Sequence, residues 1–339
     1  MSESIPSSSP NPIRTGAGYK DFALIVGGLA LVRAALPFIA IPIAVAPYID
    51  FLLLIGVFIA TVFAIYRAMS EQPSPKLAAV ILLIGIFLHV MAVQMISVAF
   101  HGVGPGAILL SALAQTGLMI WCIGLGTAIA SLLRDKNILI PVAIFLVGFD
   151  IFLVLTPLGF TQKLIKQNPG LLASVGMQIP KSTQVAHDVA KTTVATAGLV
   201  GPADLVFLGA FFLAMFKFGM RPKETLKVMI PTLIGYMILV LVTGWALPAL
   251  VPIGLVTLLV NRNEFKLNKD EKASTVVLAL IVIGILAFSA SRKPKRPVGP
   301  LPSEVSQGSQ APVATPGQEG VNLPPNVVPT FPRNKPSPR

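Results

Sequence analysis

The sequence predicts an all-α protein, a polytopic bundle of transmembrane helices, on three observations. Of the 339 residues, 54% are hydrophobic and only 12% are charged. The mean hydropathy of +0.79 lies well outside the range of soluble globular chains. Apolar runs recur along the chain, and most of them reach the roughly 20 residues that a helix needs to cross a bilayer.

The apolar runs divide the chain into one membrane domain and two tails. We predict a transmembrane domain over residues 21–291. The Ser/Pro-rich residues 1–20 and the Pro-rich, basic residues 292–339 are predicted to be disordered tails. We expect about nine spans, the eighth of them short: 22–46, 51–69, 77–100, 106–133, 138–157, 199–216, 228–246, 248–261 and 273–291.

The positive charge of the chain indicates membrane lipid as a partner and no nucleic acid. The net charge is +12, and no RNP, zinc-finger or basic-helix pattern accompanies it. The basic segment 292–297 is interpreted as an anchor beside lipid headgroups. Lysine and arginine are dense in the short loops 217–227 and 262–272, which predicts a cytoplasmic N-terminus in a plasma or inner membrane. That orientation places the basic segment 292–297 outside, against the same rule.

Two acidic residues lie inside apolar segments of membrane length. Asp150 lies within residues 138–157, and Asp204 lies within residues 199–216. A carboxylate at hydrocarbon depth costs roughly 2.5–3.5 kcal/mol on insertion scales. Such residues mark proton relays, ion paths or reaction centres, so both aspartates are candidate functional residues.

The two aspartates are expected at matching depth near the outer face. The fifth span carries Asp150 outward, and the sixth span returns from that face with Asp204 near its start. The segment 245–250 joins the seventh and eighth spans on the same side, and Pro248 has no backbone N–H. Helical hydrogen bonding is therefore expected to break there, which a membrane tolerates only around a cavity or the protein interior.

Three short motifs carry these features in order along the chain. They are GFDIF (148–152), GPAD (201–204) and PAL (248–250). The set resembles the GxGD-type intramembrane aspartyl proteases, the presenilin and signal peptide peptidase superfamily. That family has a Tyr-Asp pair in one helix, Gly-x-Gly-Asp at the start of the next, and Pro-Ala-Leu near a later helix start. The resemblance covers roughly residues 138–261.

The resemblance implies a presenilin-like catalytic core over residues 138–261 and the activity of an aspartic endopeptidase. Asp150 and Asp204 would be the catalytic pair, with no cofactor and no metal. The substrates would be transmembrane helices or signal peptides, which the family cleaves within the membrane. By the same resemblance, five residues would bind substrate: Pro248, Ala249, Leu250, Gly201 and Phe149.

The sequence departs from the family pattern at two positions beside the aspartates. Phe149 stands where the family has tyrosine and lacks its hydroxyl. Ala203 stands where the family has the glycine before the aspartate, and it adds a Cβ where a close backbone approach is expected.

Two other classes of function also fit the residues. In a proton- or cation-coupled transporter, the same carboxylates would relay the ion, with broken helices as the site. In a non-catalytic membrane scaffold, Phe149 and Ala203 would mark lost catalysis. Taken singly, each aspartate also fits a structural hydrogen-bonding group inside the bundle.

The remaining polar residues of the spans predict structural roles. We expect the Arg33 side chain to snorkel toward the interface and His89 to make an interhelical hydrogen bond. Cys122 is predicted to be a packing residue. The partly apolar loop 158–198 is expected to lie on the headgroups. Three scattered histidines without an HExxH motif argue against a metalloprotease.

Overall fold

The computed structural model describes residues 16–39, 41–42, 44–155, 174–181, 196–244 and 247–291. Within these ranges nine α-helices of 11 residues or more form an all-α bundle. Seven of the helices are long and apolar enough to cross a membrane, which confirms the class of integral membrane protein. The nine helices are α1 Ala17–Ala35, α2 Ala46–Ser70, α3 Pro75–Ala99, α4 Gly104–Leu132, α5 Leu139–Leu155, α6 Pro202–Lys217, α7 Pro222–Thr243, α8 Leu250–Val260 and α9 Lys269–Ser291.

Proline and short polar residues define several helix ends. Helices α2, α3, α6 and α7 each carry a proline in the first turn, where the missing N–H has no intrahelical partner to lose. Ser74 caps α3 by accepting a hydrogen bond of 3.3 Å from the Leu77 N–H. Helix α7 ends at Gly244, whose φ of 66° lies in the left-handed region that favours glycine.

The first span differs from its predicted limits of 22–46. Helix α1 begins earlier, at Ala17, and ends at Ala35, where a 3₁₀ turn over Leu36–Phe38 follows. Pro37 lacks the N–H that would continue the helix, and Pro42 follows before α2 begins. Residues 17–20, expected in the N-terminal tail, therefore belong to α1. The tail residues 1–15 and 292–339 lie outside the described residues.

The start of α1 is held by the end of α2. The buried Glu71 carboxylate accepts hydrogen bonds from the backbone N–H groups of Gly16 at 3.1 Å and Gly18 at 2.6 Å. These amides belong to the first turn of α1, where helices have free donors. Asp21 and Arg67 form an ion pair between the same two helices. A carboxylate at the end of α2 thus caps the start of the preceding helix, α1.

A short antiparallel hairpin, which the sequence analysis did not predict, precedes α6. Strand β1 is Met177–Pro180 and strand β2 is Thr196–Val200, with Gln178 opposite Leu199. The expectation that loop 158–198 lies on headgroups falls mostly outside the described residues. Strand β2 leads directly through Gly201 into the helix that carries Asp204.

Glycines let α3 and α4 approach closely. A Cβ at Gly85 would overlap Trp121, and one at Gly124 would lie 2.5 Å from the Leu82 nitrogen. Such small residues drive helix association in membranes, where apolar burial alone gives little. The buried His89 joins the same pair of helices, because its Nδ1 lies 2.8 Å from the Ala114 carbonyl oxygen. This contact confirms the interhelical role expected for His89.

At one end of the bundle, which we call the basic end, polar contacts hold α4, α6, α7 and α8 together. The Lys217 ammonium group donates to the carbonyl oxygens of Ala130, Ser131 and Leu133, at 3.5, 3.4 and 2.5 Å. These carbonyl groups belong to the last turn of α4 and to its C-cap residue, Leu133, so Lys217 of α6 caps the end of α4. The fully buried Asn261, just after α8, accepts from the Arg221 N–H at 2.9 Å.

Helix α5 begins at the same basic end. The Asn137 side chain, just before α5, donates to the Lys266 carbonyl oxygen at 3.0 Å. Its Oδ1 accepts from the Lys266 N–H at 3.2 Å, in the segment between α8 and α9. The starts or ends of α4, α5, α6 and α8 are thus tied at one level. The opposite end carries β1 and β2, and we call it the hairpin end.

Candidate functional site

Asp150 lies on α5 and binds the start of α8. Its half-buried carboxylate accepts a hydrogen bond of 2.8 Å from the backbone N–H of Leu250. Leu250 is the first residue of α8, where backbone N–H groups have no partner within the helix. The carboxylate also lies at the positive end of the helix dipole. A main-chain group without a helical partner was expected at the PAL segment. The Leu250 N–H is such a group, and it donates to Asp150.

Tyr236 of α7 holds the other side of the PAL segment. Its hydroxyl donates to the Pro248 carbonyl oxygen at 2.7 Å. Pro248 and Leu250 are buried, and Ala249 is half-buried. The sequence analysis missed Tyr236, although a phenol inside an apolar span usually has a polar partner. Helices α5 and α7 thus each form one hydrogen bond with the PAL segment.

The approach of α5 to α8 depends on a glycine. A Cβ at Gly254 would lie 2.7 Å from Val147 Cγ2 and 3.7 Å from the Ala143 carbonyl oxygen. Such distances leave no room for a residue larger than glycine at position 254 of α8. The face of α5 that carries Ala143, Val147 and Asp150 therefore packs against α8. Close packing fixes the side chain of Asp150 at the start of that helix.

Asp204 lies in the first turn of α6, three residues after Gly201. Its backbone N–H donates to the Gly201 carbonyl oxygen at 3.2 Å. A Cβ at position 201 would lie only 3.0 Å from Asp204 Oδ2. Gly201 has ordinary extended angles, φ −64° and ψ 139°, so its role is to leave space rather than to adopt an unusual backbone. The glycine lets the carboxylate fold back over the helix start.

The two carboxylates lie at similar depth when measured from the basic end. At 1.5 Å per residue, Asp150 lies about 16 Å from the start of α5 and Leu250 about 15 Å from the end of α8. Asp204 lies about 20 Å from the end of α6. These values lie between about half and two-thirds of the ~30 Å hydrocarbon core.

Phe149 lies on the other face of α5. Its ring is 46% exposed and stacks on Phe145, with ring centroids 5.7 Å apart. This face is opposite to the one that packs on α8. The structure therefore does not bring Phe149 together with the PAL segment. Ala203 is also exposed, so its additional Cβ is accommodated.

Two other intramembrane residues lie near the start of α6 or the hairpin. Cys122 of α4 is buried, as expected of a packing residue, and its Sγ lies 3.6 Å from the Pro202 carbonyl oxygen. Arg33 does not snorkel to the interface. It is 5% exposed and donates to the Gln178 carbonyl oxygen at 3.1 Å, because the hairpin offers a nearer acceptor than water. Across the described ranges, no group of three metal-ligating side chains is placed to hold a metal ion.

The fold and these helix lengths define an integral membrane protein of the helical class, with two carboxylates and a broken helix start inside the bundle. The chain matches no protein-family model, no curated protein and no solved structure. Functional inference therefore depends on the geometry of the site and on the three sequence motifs.

Proposed function

We propose that the protein is an intramembrane aspartyl protease with a presenilin-like core over residues 138–261 and nine membrane crossings. The single observation that carries the proposal is the arrangement of Asp150 and Asp204. They lie at similar depth on consecutive helices, and Asp150 binds the Leu250 amide of the PAL segment. The hydrogen bond joins two motifs of the family resemblance, GFDIF and PAL, and the third motif, GPAD, carries Asp204.

The chemistry requires one proton shared between two carboxylates. Two nearby carboxylates in a low-dielectric site do not both ionise readily, so the pair holds one proton. The ionised carboxylate takes a proton from water, whose oxygen attacks the peptide carbonyl carbon. The protonated carboxylate gives its proton to the carbonyl oxygen. Collapse of the tetrahedral intermediate then breaks the C–N bond: the leaving nitrogen takes the proton that the first carboxylate removed from water, and a hydroxyl of the intermediate returns its proton to the second carboxylate.

The departures from the family pattern are compatible with this chemistry. Phe149 faces away from α8, so its missing hydroxyl removes no contact with the PAL segment. Ala203 is exposed, and its Cβ leaves Asp204 unobstructed. The glycine that the Asp204 carboxylate needs is Gly201, which is present.

The hairpin supports an extended peptide as the substrate. The Gln178 N–H points away from β2, toward Gln115. In an antiparallel pair the groups of the opposite residue, Leu199, then also point outward. Within the residues that the structure describes, nothing pairs with those groups. A chain unwound from a transmembrane helix or signal peptide would add there as a strand, next to Asp204.

The test is cleavage of a signal peptide and a single-span helix by the purified protein in detergent, read by mass spectrometry. Asp150→Asn and Asp204→Asn keep side-chain size and should each abolish cleavage. Asp50→Asn, in α2, is the matched control and should cleave as wild type does. Activity that survives in both Asp150→Ala and Asp204→Ala would reject the proposal. Ion-driven uptake into liposomes without a peptide product would instead assign the transporter function.

A further inference from the structure

Gln115 of α4 binds strand β1 as a neighbouring strand would. Its side chain is 3% exposed, and its Oε1 accepts from the Gln178 N–H at 3.1 Å. Its Nε2 donates to the Gly176 carbonyl oxygen at 3.4 Å. One side-chain amide thus satisfies a donor and an acceptor that lie two residues apart on the same strand edge. This is the pattern that the N–H and the carbonyl of one residue in a parallel neighbouring strand would provide.

Arg33 of α1 binds the same edge of β1 from another helix. Its guanidinium group donates to the Gln178 carbonyl oxygen at 3.1 Å, and the residue is 5% exposed. A buried arginine is costly in a membrane bundle and generally marks a function. Arg33 lies in the last turn of α1, where the helix dipole favours a cation. Its Nε has no hydrogen-bond partner in the described part of the chain.

Together the two side chains close one edge of the sheet. Both backbone groups of Gln178 that point away from β2 are occupied, the N–H by Gln115 and the carbonyl by Arg33. An isolated two-stranded hairpin is only marginally stable and is prone to slip in register. Anchors from α1 and α4 supply what a third strand would give. Among the residues that the structure describes, none pairs with the outward edge of β2 at Leu199.

We propose that Arg33 and Gln115 are positioning residues that hold β1 and thereby fix the register of β2, the strand that leads into the Asp204 helix. The functional part of this inference rests on the proposed protease activity. A substrate strand that pairs with β2 would be placed relative to Asp204 by this clamp. Loosening the clamp would then shift which peptide bond meets the carboxylates. Neither side chain touches the reacting atoms.

The first readout is amide hydrogen exchange of residues 177–180 in detergent, which does not depend on activity. Gln115→Leu removes two hydrogen bonds and Arg33→Met removes one, so exchange there should become about tenfold faster in each. Arg33→Lys keeps a donor and should exchange at a rate between Arg33→Met and wild type. Thr116→Val and Lys20→Met are the controls, because Thr116 bonds only within α4 and Lys20 is exposed on α1. Unchanged exchange in both clamp variants would overturn the inference.

The second readout is the position of cleavage in one transmembrane peptide. The clamp variants should raise KM and cut at additional neighbouring bonds, whereas both controls should give the wild-type products. Faster exchange together with a single wild-type cleavage site and an unchanged KM would overturn the positioning role. If the wild-type protein cleaves nothing, the proposed function fails, whereas the exchange measurement still decides whether the clamp exists.

Discussion

The backbone N–H of Leu250 donates to the carboxylate of Asp150 at 2.8 Å, across 100 residues of sequence. The acid that we propose for catalysis is therefore also the N-terminal cap of α8. A carboxylate with a fixed donor on one oxygen keeps a defined orientation. No hydrogen bond to its second oxygen is found within the described ranges, so in the proposed mechanism that oxygen meets water or a peptide carbonyl.

The double role of Asp150 predicts that two substitutions will differ in stability but not in activity. Asp150→Asn retains an oxygen that accepts from the Leu250 N–H, so thermal stability in detergent should stay close to wild type. Asp150→Ala removes the cap and should cost about 1 kcal/mol of unfolding free energy. Both variants should lack cleavage. Equal stability of the two would contradict the capping role.

Tyr236→Phe should loosen the PAL segment, because the Pro248 carbonyl oxygen loses the Tyr236 hydroxyl at 2.7 Å and retains the longer bond of 3.4 Å from the Val251 N–H. We expect a loss of about 1 kcal/mol in unfolding free energy and a several-fold lower kcat. Thr232→Val, one turn earlier on α7, is the matched control, since Thr232 bonds only to Val228 of its own helix. Wild-type kcat in Tyr236→Phe would show that the bond to Pro248 does not support the site.

Gly201→Ala should impair the Asp204 carboxylate with little effect on the fold. The new Cβ would lie 3.0 Å from Oδ2 and force the carboxylate to move, which we expect to lower kcat by roughly tenfold or more. The backbone angles at position 201 suit alanine, so no strain is added. Gly235→Ala, with open space around its Cβ position, should retain activity. Full activity of Gly201→Ala would remove the steric role of this glycine.

Gly148→Ala should push α5 away from α9, because the added Cβ would overlap the Val282 side chain. Such overpacking costs about 1–3 kcal/mol. The double variant Gly148→Ala/Val282→Ala should recover most of that loss, as thermal unfolding would measure. Gly284→Ala on α9 meets open space and serves as the control. Without recovery in the double variant, the contact between these two residues is not the cause.

Composition was sufficient to predict the helices, because long apolar runs have one stable form in a membrane. The break at the PAL segment was also predicted, because Pro248 lacks a backbone N–H. The Asp150 motif and the PAL segment were predicted to lie at the same level of the membrane, but a hydrogen bond between them was not predicted. The contact between Asp150 and Leu250 depends on how α5 packs against α8. That packing depends on the glycine at position 254, and no local sequence pattern predicts the close approach of the two helices there.

The hairpin and its anchors were beyond the sequence patterns. Strand β1 has only four residues, too few for an alternation signal. Its stability depends on Gln115 and Arg33, which come from helices far away in the chain. Arg33 was expected to snorkel because snorkelling is the usual solution for a lone cation. Only the tertiary structure reveals a carbonyl acceptor within its reach.

Helix α6 has 16 residues, a rise of about 24 Å, and falls short of the ~30 Å hydrocarbon thickness. Strand β2 adds about 16 Å over its five residues, so β2 and α6 together are long enough to span that thickness as part strand and part helix. Acyl chains cannot solvate the outward amide and carbonyl of Leu199, and an exposed peptide group in lipid costs several kcal/mol. In the proposed protease we therefore expect a hydrated recess at that strand, which would bring water close to the Asp204 helix.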